Sequence, residues 1–583
     1  MSSPAFDPAD PREFLRTALV VDDQALTADD REEEADSAAD YALVPPDALL
    51  IGERDHGDAG PAQTGGAGGA DGEAGGRLRT RQLVDAFADE RIACAVLAPR
   101  MSVTEDRRRV IELAASTDIL VIDWLLSPLV HAASKPDIGD RTSLQLIREI
   151  VQNDVTSGGR LRLICIYTSE PAIDFVLSEV AQGLSTLTSA SVDLPFVADF
   201  DEGVLAGRNL MVRVVAKPRE DGGVDGGLSE SLLARFLVEE FVKLAATGLL
   251  PRLAIGAVAS VRRHANRLLV RFGEELDAAF LSHRALTSPY AAEQYALSLV
   301  GDEITALLAA THVDAAVHEA SVRKRTEELI PPSSGTRMLP AAKGTPSSDL
   351  VARAEAIRFI VEGAGSDSEK EIALNPTGSK KLKNHSTVTS LFFAESDLPF
   401  DKGRASDDAF GVLSCLARSL AHDGPGLPAP TLGLGTLLRR RRPSGPAQPS
   451  PGYSYWVCLM PPCDSVRLSE ATRFPLIPLT EPQKGRFDIV IDDVGGHDTI
   501  RLKAKPSVLD LEFESFGPSD VGVVEAIWQE RPKGWFFTSQ SGALLRWMGD
   551  LRADQAYRLA VSLGSMLTRP GLDESEFVRV NAK

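Results

Sequence analysis

Between residues 14 and 250, short apolar runs alternate with stretches whose apolar positions recur at three and four. TALVV (17–21), IACAVLA (92–98), DILVIDW (118–124), LRLICIYT (161–168) and LMVRVVAKP (210–218) predict strands. LRTRQLVDAFADE (78–90), TEDRRRVIELAAS (104–116), SLQLIREIVQN (143–153), AIDFVLSEVAQGL (172–184) and LSESLLARFLVEEFVKLAAT (228–247) predict helices. A strand that is apolar throughout, rather than at every second position, is buried on both faces, so helices must cover both sides of a parallel sheet. The expected fold over 14–250 is therefore α/β, a doubly wound sheet of five parallel strands.

The pattern breaks once inside that region. Residues 26–78 hold an acidic run (ADDREEEAD) and then a Gly-rich tract (DAGPAQTGGAGGADGEAGG), which have too little apolar area to order themselves. They predict a disordered insertion rather than a boundary, because the strand and helix pattern resumes after them. Residues 251–330 read as purely helical, since no strand signal interrupts the three-and-four spacing. A linker with one helix is expected over 331–385, opened by PPSSGTRMLPAAKGTPSSD. An α+β module is expected over 386–583. There SDDAFGVLSCLARSLAH (406–422) and GALLRWMGDLRADQAYRLAVSLGSML (542–567) predict helices. YSYWVCLM (453–460), FDIVIDDV (487–494), DTIRLKAK (498–505) and LDLEFESF (509–516) predict strands, and RRRRPSGPAQPSPGYS (439–454) a loop.

Composition narrows the function classes. A formal net charge of -21 disfavours broad nucleic-acid or anionic-membrane binding, which needs basic surface. Five cysteines in 583 residues are not a disulfide framework, so a reducing cytoplasm is the expected compartment. MSSPAFDPADPREF lacks the basic and apolar regions of a signal peptide, and no run approaches the ~18 apolar residues of a membrane span.

The candidate chemistry stands where the strands end. In an open parallel sheet, ligands bind at the carboxyl ends of the strands, where strand order reverses. The first strand ends in Asp22 and Asp23, the third in Asp123, the fourth in Thr168 and Ser169, and the fifth in Lys217 and Pro218. Clustered carboxylates hold a hard divalent cation, with Mg²⁺ the natural choice for an all-oxygen shell. One carboxylate can serve as a nucleophile toward phosphorus, with a hydroxyl and an ammonium to take phosphoryl oxygens. Phosphoryl transfer to an aspartate is the chemistry this set suits.

FLRTALVVDDQ, TDILVIDWLL, LICIYTS and VRVVAKP stand in the order found in two-component receiver domains. Over 14–250 the chain resembles such a response-regulator receiver, which implies a flavodoxin-like fold. The resemblance implies that Asp22 and Asp23 are the acidic metal pair and that Asp123 is the phosphoacceptor and third metal ligand. It implies that Thr168 is the switch hydroxyl and Lys217 the phosphate-pairing lysine, with Pro218 at a turn that often holds a cis bond. It further implies Mg²⁺ as cofactor and a histidine-kinase-like ATPase as partner. Receivers usually carry an aromatic residue three positions before the lysine, and here that residue is Val214. The segments after Asp123 and after Thr168 are also longer than usual. The whole chain, through EELDAAFLSHRAL, YWVCLMPPCDSVRL and TRPGLDESEFVRV, is similar to divergent response receiver proteins of bacterial conflict and phage-defence systems.

Three readings follow. The first is a cytoplasmic phosphoacceptor, not itself an enzyme, that relays its state through 228–330, by packing or as a homodimer, to the C-terminal module. The second is a pseudo-receiver that is never phosphorylated and acts as a protein-interaction scaffold. The third makes the C-terminal module a regulated enzyme. The strand-end carboxylates also have a bland reading, as solvated groups of a purely structural domain. Cys458 and Cys463 in VCLMPPCD offer a thiol nucleophile or half a zinc site, but free cysteines also serve as small apolar residues. Cys415 and His497 form no second pair with them, and His131, His264 and His283 show no metal spacing. Arg439 to Arg442 reads as a solvated basic run. TLGLGTL (431–437) lacks the lysine of a phosphate-binding loop.

Overall fold

The computed structural model describes residues 10–23, 78–99, 104–126, 142–185, 197–218 without 208, 227–245, 248–330 without 288, and most of 350–567, with isolated residues and short strands between these stretches. It divides into two compact units, Met1–Arg263 with Thr311–Ala316, and His264–Ala310 with Val317–Lys583. The Gly-rich insertion expected over 26–78 lies outside the described residues, save for Leu78 at its end, which is fully buried.

In the first unit the elements are β1 (Thr17–Val21), α1 (Thr80–Asp89), β2 (Ala93–Leu97), α2 (Thr104–Ala114), β3 (Ile119–Ile122), α3 (Thr142–Thr156), β4 (Arg162–Thr168) and α4 (Ile173–Ser185). They continue with β5 (Val197–Asp199), β6 (Val204–Ala206), β7 (Leu210–Ala216), α5 (Glu230–Ala245) and the start of α6 (Leu249–Arg271). The sheet order is β2-β1-β3-β4-β7-β6-β5. The first five strands in that order are parallel, as expected of a doubly wound domain. The five-strand count needs correction, because β6 and β5 add an antiparallel hairpin beside β7. Each is only three residues long, too short to show a period.

Burial explains the parallel arrangement. Every residue of β3 and β4 is buried, so both sheet faces need a cover. One face carries Leu83 and Phe87 of α1 with Leu233, Leu237 and Phe241 of α5. The other carries Val110 of α2, Ile147 and Ile150 of α3, and Val176 and Val180 of α4. Phe241 stacks on Phe14 at 5.6 Å, and a side chain of that size contributes about 1.5–3 kcal/mol when fully buried. Arg162 is enclosed at the amino edge of the sheet, where it forks onto Asp154 at 2.5 and 2.8 Å and donates to the carbonyl oxygen of Ala114. The same edge holds α6: Arg262 donates to Asp118 at 3.0 Å and to the Phe14 carbonyl at 2.8 Å.

The second unit contains α7 (Asp277–Leu286), α8 (Pro289–Ala310), α9 (Glu319–Leu329), β8 (Thr336–Met338), β9 (Leu350–Ala352), α10 (Arg353–Glu362), β10 (Lys370–Ala373), β11 (Ser379–Leu382), α11 (His385–Thr389) and α12 (Pro399–Cys415). A large antiparallel sheet follows: β12 (Leu416–Arg418), β13 (Thr436–Arg441), β14 (Tyr453–Cys458), β15 (Thr472–Thr480), β16 (Ile489–Asp492), β17 (Thr499–Ala504), β18 (Glu512–Phe516), β19 (Ile527–Glu530), β20 (Lys533–Thr538) and β21 (Leu544–Leu551), closed by α13 (Ala553–Leu567). Its strands run in the order β16-β17-β15-β14-β13-β21-β20-β19, with β12 on β21 and β18 on β15. Both faces are packed, one around Val457, Ile477 and Met548, the other around Trp456, Phe474 and Trp547.

Three local expectations fail in this unit. SDDAFGVLSCLARSLAH, expected as one helix over 406–422, is helical only to Cys415, and Leu416–Arg418 is strand β12. LLRWMGDL, expected to begin a helix, is strand β21; only the part from Ala553 onward is helical. The Arg439–Arg442 run, expected as a solvated loop, largely belongs to β13, with Arg439 buried and paired with Asp493 at 3.1 Å.

Candidate functional site

The register of the parallel strands places the predicted residues side by side. Val21 of β1 pairs with Ile122 of β3, so Asp22 and Asp123 leave adjacent strand ends together. Asp22 N–H donates to the Leu97 carbonyl at 3.0 Å and Asp123 N–H to the Val21 carbonyl at 2.9 Å, which extends the ladder up to the site. Thr168 of β4 pairs with Ala216 of β7, and the Lys217 N–H donates to the Thr168 carbonyl at 2.8 Å. The strand order reverses between β1 and β3, which is where the acids stand.

Three carboxylates meet there. One oxygen from each of Asp22, Asp23 and Asp123 lies within 4.8 Å of the others. Lys217 reaches across from β7, and its Nζ donates to Asp22 Oδ2 at 2.8 Å and to Asp123 Oδ2 at 3.0 Å. Asp22, Asp123 and Lys217 are buried, Thr168 is fully enclosed, and Asp23 is partly exposed. The other carboxylate oxygen of Asp123, Oδ1, accepts the Leu125 N–H at 3.1 Å. Its carboxylate plane is thus fixed from two sides. Thr168 Oγ1 accepts the Glu170 N–H at 3.0 Å.

Electrostatics follow from that geometry. Burial holds the Asp123 carboxyl above the usual carboxylate range; the Asp22 charge pushes the same way and Lys217 pulls against both. Burial works to lower the Lys217 ammonium, but Asp123 and Asp22 outweigh it and hold the group above its ordinary value. Three carboxylates facing one ammonium leave negative charge in excess, which a divalent cation with oxygen preference offsets. The donor set therefore fits Mg²⁺: it is all oxygen, convergent, and open to solvent on the Asp23 side.

Two supporting residues were not singled out in the sequence. Tyr167, beside Thr168, sends its hydroxyl to the Leu228 carbonyl at 2.8 Å, while Leu228 N–H donates to the Ala216 carbonyl at 3.0 Å. The chain that leaves at Lys217 is thereby stapled back to the strand just before α5. Gly227 completes the staple, since a Cβ there would stand 2.6 Å from the Lys217 carbonyl oxygen. Only its place in DGGVDGG hinted at it, and that run reads as an ordinary turn. Gly227→Ala is expected to shift the Lys217 backbone and destabilise the first unit by roughly 1–3 kcal/mol, an overpacking effect. Amide hydrogen exchange of β4 and β7 in the variant and the parent checks this.

Other sequence candidates do not join the site. The Lys217–Pro218 peptide is trans; among the described residues the cis peptide is Arg531–Pro532. Val214 is a buried core residue of β7, packed with Val212 and Leu205. The Cys458 thiol is buried and pushed up to about 12 by that burial, while Cys463 is exposed. Asp22, Asp23 and Asp123 are the group of potential metal ligands that converges among the described residues. His283 packs on the Tyr295 ring, and His131 and His497 lie outside the described residues. No single helix among the described residues is long and apolar enough to cross a membrane.

A doubly wound sheet with an acidic trio and a lysine at its switch point defines the receiver class of domain. Residues 14–219 match the family model described as a response receiver domain. The N-terminal part of this chain is a response-regulator receiver domain. No curated protein and no solved structure matches the chain.

Proposed function

We propose that this protein is a phosphoacceptor that takes a phosphoryl group on Asp123, with Mg²⁺, from a partner kinase. The observation that carries the reading is the Lys217 ammonium bridging Asp22 and Asp123 at 2.8 and 3.0 Å inside a three-carboxylate cluster. Asp22, Asp23 and Asp123 would hold the ion, which supplies charge neutralisation as phosphate approaches. An Asp123 oxygen attacks phosphorus; the bond to the donor imidazole breaks and the imidazole leaves with the electron pair. Lys217 then exchanges a carboxylate partner for a phosphoryl oxygen, and the Thr168 hydroxyl stands on the neighbouring strand end to receive another. The donor is taken to be a histidine-kinase-like ATPase, in the cytoplasm.

The relay is proposed to leave through α5. At the turn after β7, Lys217 is bonded to Thr168 of β4, and Leu228, just before α5, is bonded to Ala216 of β7 and to Tyr167 of β4, so a pull on Lys217 reaches Leu228 through its chain neighbour Ala216. Because Val214 supplies no ring, this turn replaces the swinging aromatic as the element with two arrangements. The C-terminal unit would read the change, within one chain or across a homodimer. The second reading, a scaffold that is never phosphorylated, draws on Val214 and on Lys217 already balancing two of the carboxylates.

Mg²⁺ tests the metal half of the proposal. Ion binding to the folded state alone raises stability by mass action, about 2.7 kcal/mol at a hundredfold excess over Kd. Thermal melts of the full chain are expected to show the transition that unfolds the receiver domain moving up in millimolar Mg²⁺. The shift should vanish in the Asp22→Asn, Asp23→Asn double variant. A shift that persists there, or none in the parent, counts against the site.

A further inference from the structure

The C-terminal unit holds a cavity of about 1080 Å³ that the phosphoacceptor chemistry does not use. Its wall is formed by the first turns of α8, the end of β12, the loop before β13 and the turn after β14. That volume is at the upper end of what small-molecule sites enclose. Much of the lining is apolar, including Leu297, Leu432, Val466 and Val523. Against this stand two arginines, Arg418 and Arg467, and two acids, Asp550 and Glu525.

The two arginines are held in different ways. Arg418 closes β12, where its cross-strand partner is Asp550 of β21. Its guanidinium lies over the Trp547 ring at 5.2 Å and gives one N–H to the Pro428 carbonyl at 2.9 Å. A stacked, singly anchored guanidinium is a pre-oriented fork for an oxyanion. Arg467 is exposed and sits at a φ of 61°, a left-handed backbone that strains a non-glycine residue. The Leu468 N–H is tied to the Gly522 carbonyl at 2.9 Å, and a Cβ on Gly522 would stand 3.3 Å from the Arg467 Cα. The strained position is thus built in by the facing turn. Of the acids, Glu525 is exposed, and burial raises the Asp550 carboxyl above its usual range against the pull of Trp547, Thr436 and Arg418.

We propose that this cavity binds a small organic anion, its carboxylate or phosphate taken by Arg418 and Arg467 and its apolar body laid against Leu432, Val466 and Val523. Oxyanion charge and apolar surface are both required, since the lining offers both. The cavity wall also contains Cys463, the exposed one of the five cysteines, which gives the site a chemical reporter.

The test uses the full chain, with iodoacetamide alkylation of Cys463 followed by peptide mass. Octanoate and adenosine monophosphate are the two organic probes, one for each source of the anion. Inorganic phosphate and octylamine are the controls. At free concentrations a few times its Kd, at least one organic anion should slow alkylation by about threefold or more, while neither control does. Octanoate protection identifies a carboxylate ligand, adenosine monophosphate protection a phosphate ligand. Arg467→Gln changes an exposed side chain, and the rate without probe reports whether the wall is intact. In that variant the protection should be lost. No protection by either organic anion overturns the proposal. So does equal protection by inorganic phosphate or by octylamine, or protection that survives both Arg467→Gln and Arg418→Gln.

Discussion

Acetyl phosphate with Mg²⁺ is expected to add one phosphoryl group to the full-length protein, and Asp123→Asn to remove that labelling by a hundredfold or more. The acetyl donor mimics the kinase chemistry: an Asp123 oxygen attacks phosphorus and acetate leaves with the bonding pair. The second oxygen of Asp123 is fixed by a backbone amide, at 3.1 Å from Leu125. Its carboxylate is therefore aimed as well as charged. Asparagine keeps the shape and still offers Lys217 an oxygen, so the fold should persist while the nucleophile is gone. The reaction also has a pH signature. The acceptor must be ionised, and burial with the Asp22 charge holds Asp123 above the ordinary carboxylate range. The labelling rate should therefore fall on acidification earlier than it would for an exposed aspartate, as protons fill the nucleophile first. Intact-mass analysis over a pH series reads both results. If the parent takes no label where an ordinary receiver does, the scaffold reading is the better one. If Asp123→Asn still labels, the nucleophile lies elsewhere.

The site was more legible than the fold around it, and the reason is physical. Strands β1, β3, β4 and β7 are buried on both faces over most of their length, so they appear as near-continuous apolar runs, β7 broken once by Arg213, and the polar residues at their carboxyl ends mark the sheet edge. Parallel register then brings those marks together, which is why Asp22, Asp123 and Lys217 stood out without any structure. What anchors Lys217 was hidden, because Tyr167 and Gly227 act through Leu228 and a carbonyl, contacts that leave no pattern. In the C-terminal sheet the same double burial misled. LLRWMGDL is buried at nearly every position, so it shows no alternation, and the helix after it lent it a helical reading. β15 carries Pro475 and Pro478 inside TRFPLIPLT, residues that ordinarily mark a break, yet both sit in register with neighbouring strands. Arg439 looked solvated because its partner Asp493 is far away in sequence.

Lys217→Met is expected to cost the receiver domain about 3–5 kcal/mol at neutral pH, the penalty of stranding buried carboxylates without their cation. The parent sets the direction of the pH dependence. Lys217 is held above its ordinary value, so its stabilising contribution is complete below the unfolded-state value and is lost as pH rises through the folded one. Asp123 is also raised, so the folded state binds its proton more tightly than the unfolded chain, and ionising it costs stability as pH rises through that range. In the variant Lys217 no longer opposes the mutual repulsion of Asp22 and Asp123, and the Asp123 carboxyl moves up further. Protonation then relieves the defect, because a neutral carboxyl needs no counter-charge. The loss should be largest near neutrality and shrink on acidification. Mg²⁺ should restore more stability to the variant than it adds to the parent, since it replaces the missing positive charge among the same oxygens. Amide hydrogen exchange of β1, β3 and β7 in the full chain isolates this domain from the other unit. A defect of equal size at every pH and indifferent to Mg²⁺ would mean that the lysine only fills space, and that the three carboxylates are not a cation site.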